Sequence, residues 1–67
     1  MAKITLSDRE SEVMGLLAKG KTRREIAFHL GISRYTVDNY CNMAFSKLGA
    51  MRVGDAIANW VRQNSPL

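Results

Sequence analysis

Lys19, Lys21, Arg23 and Arg24 crowd one short stretch of the chain, and Arg34 follows soon after. Ammonium and guanidinium groups at that density attract phosphate, the guanidinium as a planar fork and the ammonium as a point charge. The acids Asp8, Glu10 and Glu12 gather nearer the N-terminus, so the positive field is local. A net charge of +4 and a pI of about 9.7 favour a polyanionic partner, either nucleic acid or an anionic membrane surface. Other reactive side chains are isolated. His29 has no evident nucleophile beside it, and Cys41, the single cysteine, can form neither an internal disulfide nor a thiolate metal site by itself. No phosphate-cradling glycine loop precedes a helix, and no acid pair is visibly set for proton transfer. These absences argue against an enzyme, a metal site and a cofactor.

The elements that must position the basic stretch are helices separated by glycine. With 67 residues the chain is one small domain, near the lower limit for an independent core. Ser7-Asp8-Arg9-Glu10 and Thr22-Arg23-Arg24-Glu25 are both capping boxes, in which hydroxyl and carboxylate reciprocally satisfy orphan amides. Val13, Leu16 and Leu17 form one apolar face, and Ile26, Ala27 and Leu30 another. Gly20 and Gly31 suit the left-handed residues that end these helices. Ser33 caps a third helix in which Val37, Cys41, Ala44 and Leu48 share a face that should be buried. A fourth carries Val53, Ala56, Ile57 and Trp60, with Asp55 suiting the dipole of its first turn and Asn64-Ser65-Pro66 ending it. The expectation is an all-α fold of four helices, at about 7–19, 22–30, 33–48 and 53–63. Phe28 and Phe45 fall off the main apolar faces and are expected at the edge of the core or partly exposed. His29, near a helix C-terminus, is expected to be structural, and Cys41 to be a small core residue.

The second and third helices, joined by the short Gly31-Ile32 turn, read as a helix-turn-helix. The first of the pair braces the second, whose outward side chains are then free to enter a major groove. Basic residues on the bracing helix meet phosphates and position the reader without reading sequence.

Here the chain resembles the C-terminal DNA-binding domains of the LuxR type. The resemblance is carried by Leu6-Ser7-Asp8-Arg9-Glu10-Ser11-Glu12-Val13-Met14, by Leu17-Ala18-Lys19-Gly20-Lys21-Thr22, by Glu25-Ile26-Ala27 and by Leu30-Gly31-Ile32-Ser33. Thr36-Val37, Lys47-Leu48-Gly49 and Arg52 complete it. It covers roughly Leu6 to Val61 and implies a four-helix domain, with the third helix in the major groove and dimerisation through the fourth on an inverted-repeat operator. The departures lie on the reading helix: Asp38 where the family often has lysine or another polar residue, Tyr40 where it often has histidine, Met43 for asparagine, and Ala44 for a larger aliphatic residue.

The candidate base contacts are Tyr35, Asp38, Asn39 and Asn42. Asn39 or Asn42 can bond adenine bidentately, and Asp38 can accept from a cytosine amino group or repel phosphate. Lys21, Arg23, Arg24 and Arg34 are the candidate phosphate contacts. Gly54, Ala58 and Val61, at steps of four and three on the flank of the last helix, are the candidate dimer seam. Expected partners are double-stranded DNA and a second copy of the chain, in a stand-alone regulator or the output domain of a longer one. The alternative is a protein-interaction module that pairs with a full-length LuxR-type regulator and antagonises it. No apolar run approaches the ~20 residues of a membrane span, the opening residues lack the apolar core of a secretion signal, and helix four lacks the basic polar face of a membrane-surface helix. No membrane partner is therefore expected, and the expected location is the bacterial cytoplasm.

Overall fold

A computed structural model describes residues 5–64. Four helices run in order, α1 (Asp8–Ala18), α2 (Arg23–Leu30), α3 (Arg34–Lys47) and α4 (Val53–Asn64), and no strand occurs among the described residues. The caps determine where the first three begin. Ser7 Oγ accepts from the Glu10 amide at 3.2 Å while Glu10 Oε1 accepts from the Ser7 amide at 2.9 Å. Thr22 and Glu25 make the same exchange at 3.1 and 2.8 Å, and Ser33 Oγ accepts from the Thr36 amide at 3.1 Å. The spans expected from sequence counted these caps, whereas each helix proper starts one residue later. Gly31 ends α2 in the left-handed region at φ 69°, where a Cβ would strain the backbone. The stop signal at Ser65-Pro66 lies outside the described residues.

α3 forms the spine of the fold, packing against α1, α2 and α4, while α2 and α4 do not meet. The core gathers Val13, Met14 and Leu17 from α1, Ile26 and Ala27 from α2, Val37, Cys41, Ala44 and Phe45 from α3, with Leu48 and Ala56. Phe45 is buried rather than at an edge. With neighbours on three sides, α3 buries a stripe wider than the seam through residues 37, 41, 44 and 48. Val53 goes the other way and is exposed at the start of α4, leaving Ala56, Ile57 and Trp60 to anchor that helix. Gly15 faces Trp60, and a Cβ built at residue 15 would meet Trp60 Cη2 at 3.7 Å.

Glu10 is 2% exposed. Its Oε1 accepts from Lys47 Nζ at 2.8 Å as well as from the Ser7 amide, joining the start of α1 to the last turn of α3. A short reach away, Asn59 Nδ2 donates to the Leu48 carbonyl at 2.9 Å, so α4 also fastens that end of α3. The Lys47 hydrogen bond, with help from the Ser7 amide, holds the Glu10 carboxyl below its ordinary range against the opposing effect of burial.

A depressed carboxylate pKa adds stability above the unfolded value, and that stability disappears as pH falls through the folded value. Acid unfolding followed by circular dichroism should therefore show a stability loss below about pH 4.5 that Glu10→Gln flattens. Lys47→Met strands the buried charge and should cost about 1–3 kcal/mol at neutral pH. Unchanged acid behaviour in Glu10→Gln would mean the pair does not stabilise the fold.

Gly15→Ala should do the reverse. The new methyl meets Trp60 at ordinary contact distance, and the helix sheds a glycine penalty of about 0.5–1 kcal/mol. The melting temperature should rise by a few degrees; a fall would mean that Trp60 cannot accommodate the methyl.

Candidate nucleic-acid interface

With its C-terminal end fastened and one side in the core, α3 presents the opposite side to solvent. Tyr35, Asn39 and Asn42 are all exposed there, Tyr35 at 74%, together with Met43 and Ser46. This is the complement of the buried positions 37, 41, 44 and 45, as the helical period requires. Thr36 turns back to the cap, its hydroxyl 2.9 Å from Ser33 Oγ.

The four candidate phosphate contacts divide. Lys21, Arg24 and Arg34 are exposed, and among the described residues none of them is in a salt bridge. Arg23 is different. Its Nη1 donates to Asp38 Oδ1 at 3.1 Å across the turn, and its guanidinium carbon stands 6.0 Å from the centre of the Phe45 ring. The structure thus pairs one candidate phosphate contact with one candidate base contact. Both side chains remain more than a third exposed, so the pair contributes only about 0.2–1 kcal/mol. Its larger effect is on the surface field, because the acid on the reading face is matched by a cation held beside it.

Gly54, Ala58 and Val61 are all exposed on α4. They form a flank separate from the side that carries Ala56, Ile57 and Trp60 into the core. Cys41 is fully buried, and burial pushes its thiol pKa up, as suits an inert core residue. His29 is exposed. No group of His, Cys, Asp or Glu side chains suited to a metal ion occurs among the described residues.

Three tethers escaped the sequence reading: Glu10 to Lys47, Asn59 to Leu48, and Arg23 to Asp38. Their partners lie 37, 11 and 15 residues apart, beyond any helical repeat. Glu10 was legible as a capping residue, but its burial and its second partner were not.

Comparisons with known proteins agree with this geometry. A family model described as bacterial regulatory proteins, luxR family, matches residues 4–58. The spore germination protein GerE of Bacillus subtilis is 41% identical over 61 residues, covering 91% of this chain and 82% of GerE. The transcriptional regulatory protein DesR of the same organism is 51% identical over 43 residues, covering 64% of this chain and 22% of DesR. A crystal structure of Vibrio cholera VqmA in complex with ligand and DNA superposes with a TM-score of 0.82 at 36% identity, covering 94% of this chain and 27% of that one. The chain therefore spans about a quarter of the length of DesR and VqmA and most of the length of GerE.

Proposed function

Given that this chain belongs to the luxR family of bacterial regulatory proteins, we propose that it is a sequence-specific transcriptional regulator, or the output domain of one, that lays α3 in the major groove of duplex DNA. The observation that carries this reading is the arrangement around α3. Its outward face is polar and exposed at Tyr35, Asn39 and Asn42, Arg34 opens the same helix, and Lys21 and Arg24 at the start of the bracing helix are exposed cations outside any ion pair. Backbone contacts from those cations would fix register. Asn39 and Asn42 would then read adenine, and Asp38, oriented by Arg23, would accept from a cytosine amino group. The protein whose structure superposes on this chain was solved with DNA, which supports the same reading.

The other reading, a module that pairs with a full-length LuxR-type regulator and blocks it, rests on the acid at Asp38. Arg23 holds that acid at 3.1 Å, so the face repels phosphate less than the bare sequence suggests.

Fluorescence anisotropy of a labelled random duplex across a salt series tests the proposal. Non-specific binding in the range ~10⁻⁴ to 10⁻⁶ M at physiological salt should tighten steeply as salt falls. Lys21→Ala and Arg24→Ala should each lower the salt slope by about one. Asp38→Asn, which frees Arg23 for phosphate, should tighten non-specific binding. Absence of binding even at ~50 mM salt would sink the DNA-reading proposal in favour of the partner-blocking one.

We further propose that two copies pair through α4 along Gly54, Ala58 and Val61, setting two α3 helices about 34 Å apart in successive grooves. The small residues let a second helix approach closely, and the seam is open in the monomer. Ala58→Arg should shift the sedimentation equilibrium towards monomer, and a dimer unchanged by that substitution would end the idea.

A further inference from the structure

Phe28 is 91% exposed and contributes nothing to the core, although a phenylalanine ring is among the costliest side chains to leave in water. It stands on the wall of an open groove of about 830 Å³ between the end of α1 and the outer face of α2. Half-buried Leu16 and the Phe28 ring supply its accessible apolar surface, with the fully buried Ile26 behind them. Lys19, Lys21 and Arg24 also line the groove, and among the described residues none of them is in a salt bridge. The one acid there, Glu25, is committed to its own helix. Its Oε1 accepts from the Thr22 amide at 2.8 Å, and that hydrogen bond holds its pKa below the ordinary value. His29 completes the lining. The charge of Glu25 also acts on Lys21, so the groove has an apolar part and three cations against a single carboxylate.

None of the lining residues comes from α3, so the groove is distinct from the reading face. Lys21 and Arg24 are also candidate phosphate contacts, but a duplex backbone supplies phosphate and sugar and no side chain that would cover the Phe28 ring. A ligand that satisfies the whole groove must bring negative charge and an apolar side chain together. We propose that this groove docks an acidic segment of a second protein. An aliphatic or aromatic side chain of that segment packs against Leu16 and Phe28, and its carboxylates meet Lys19, Lys21 and Arg24. Charge complementarity selects the class of partner, and the Phe28 ring, covered on docking, gives the contact a hydrophobic centre within a charged rim. The inference does not depend on α3 reading DNA.

The test is a titration of the ¹⁵N-labelled chain with two synthetic peptides, one glutamate-rich with a central leucine–phenylalanine pair and one with serines at those two positions. The expected result is amide shifts centred on Leu16, Ile26 and Phe28 with the first peptide and much weaker binding of the second. Phe28→Ser should reduce affinity for the first peptide about tenfold. That side chain is exposed, so the variant should fold, and its spectrum reports whether it does. Lys19→Glu, away from the capping boxes, should also weaken the first peptide. Equal binding of the two peptides, undiminished binding by Phe28→Ser, shifts centred on α3, or no binding of the first peptide would each overturn the proposal. Random-duplex anisotropy of Phe28→Ser should match the parent. Loss of duplex binding by the parent itself would count against the DNA reader and not against the groove.

Discussion

Glu10 Oε1 accepts one hydrogen bond from Lys47 Nζ and another from the Ser7 amide, and the orientation of α3 depends on that carboxylate more than on any single apolar contact. A carboxylate this buried is expensive unless its hydrogen bonds are made. Here the cost is offset by an amide donor supplied by its own capping box and by an ammonium group arriving from the far end of α3. Lys47 keeps much of its side chain in water, 40% exposed, so only one of the two charges bears the full desolvation. In a domain with so few core residues, a correctly formed polar tether contributes geometry that apolar burial, being non-directional, cannot provide. It sets which turn of α3 lies against the start of α1.

That placement determines what the rest of α3 is free to do. Glu10 and Asn59 both act at the C-terminal end of the helix, and the core takes one side of it along its length. Its N-terminal turns stay uncovered on the other side, at Tyr35 and Asn39. The Arg23–Asp38 pair then acts locally. It joins the bracing helix to the exposed one, and the Phe45 ring beneath gives the guanidinium a second, weaker hold. Arg23 lies one residue from Arg24, yet the two have different surroundings. Arg24 is a solvated cation, and Arg23 is part of the scaffold that shapes the field over α3.

The fold was legible because its signals are local. Two capping boxes, glycines after the helices and apolar residues at helical spacing each announce themselves within a few positions, and all point to the same architecture. The exposed positions Tyr35, Asn39 and Asn42 follow from the same periodicity. Three features were not legible. Phe45 looked peripheral because a linear pattern counts one seam, whereas α3 has three neighbours. Glu10 looked like a surface cap because nothing nearby in sequence foretells Lys47. Asp38 looked like an uncompensated acid because its partner comes from another helix. In each case the missing information was the approach of a second element, which periodicity does not encode.

The apolar groups left in solvent sharpen this division. A core this small cannot cover every large side chain, so exposure alone carries little meaning for a residue such as Met51, which extends into solvent from the α3–α4 loop. Phe28 and Val61 differ from it in their setting. Phe28 shares its groove with cations and buried aliphatics, and Val61 continues a line of small residues on α4. The groove is built by α1 and α2, whereas the flank lies on α4, which packs against α1 as well as α3. An occupant of either surface would leave the other open, and could influence it through α1 or α3, both of which meet α4. Glu10 joins α1 to α3 and Asn59 joins α4 to the end of α3, so the tethers that hold the fold also lie on the route by which one surface would report to the other.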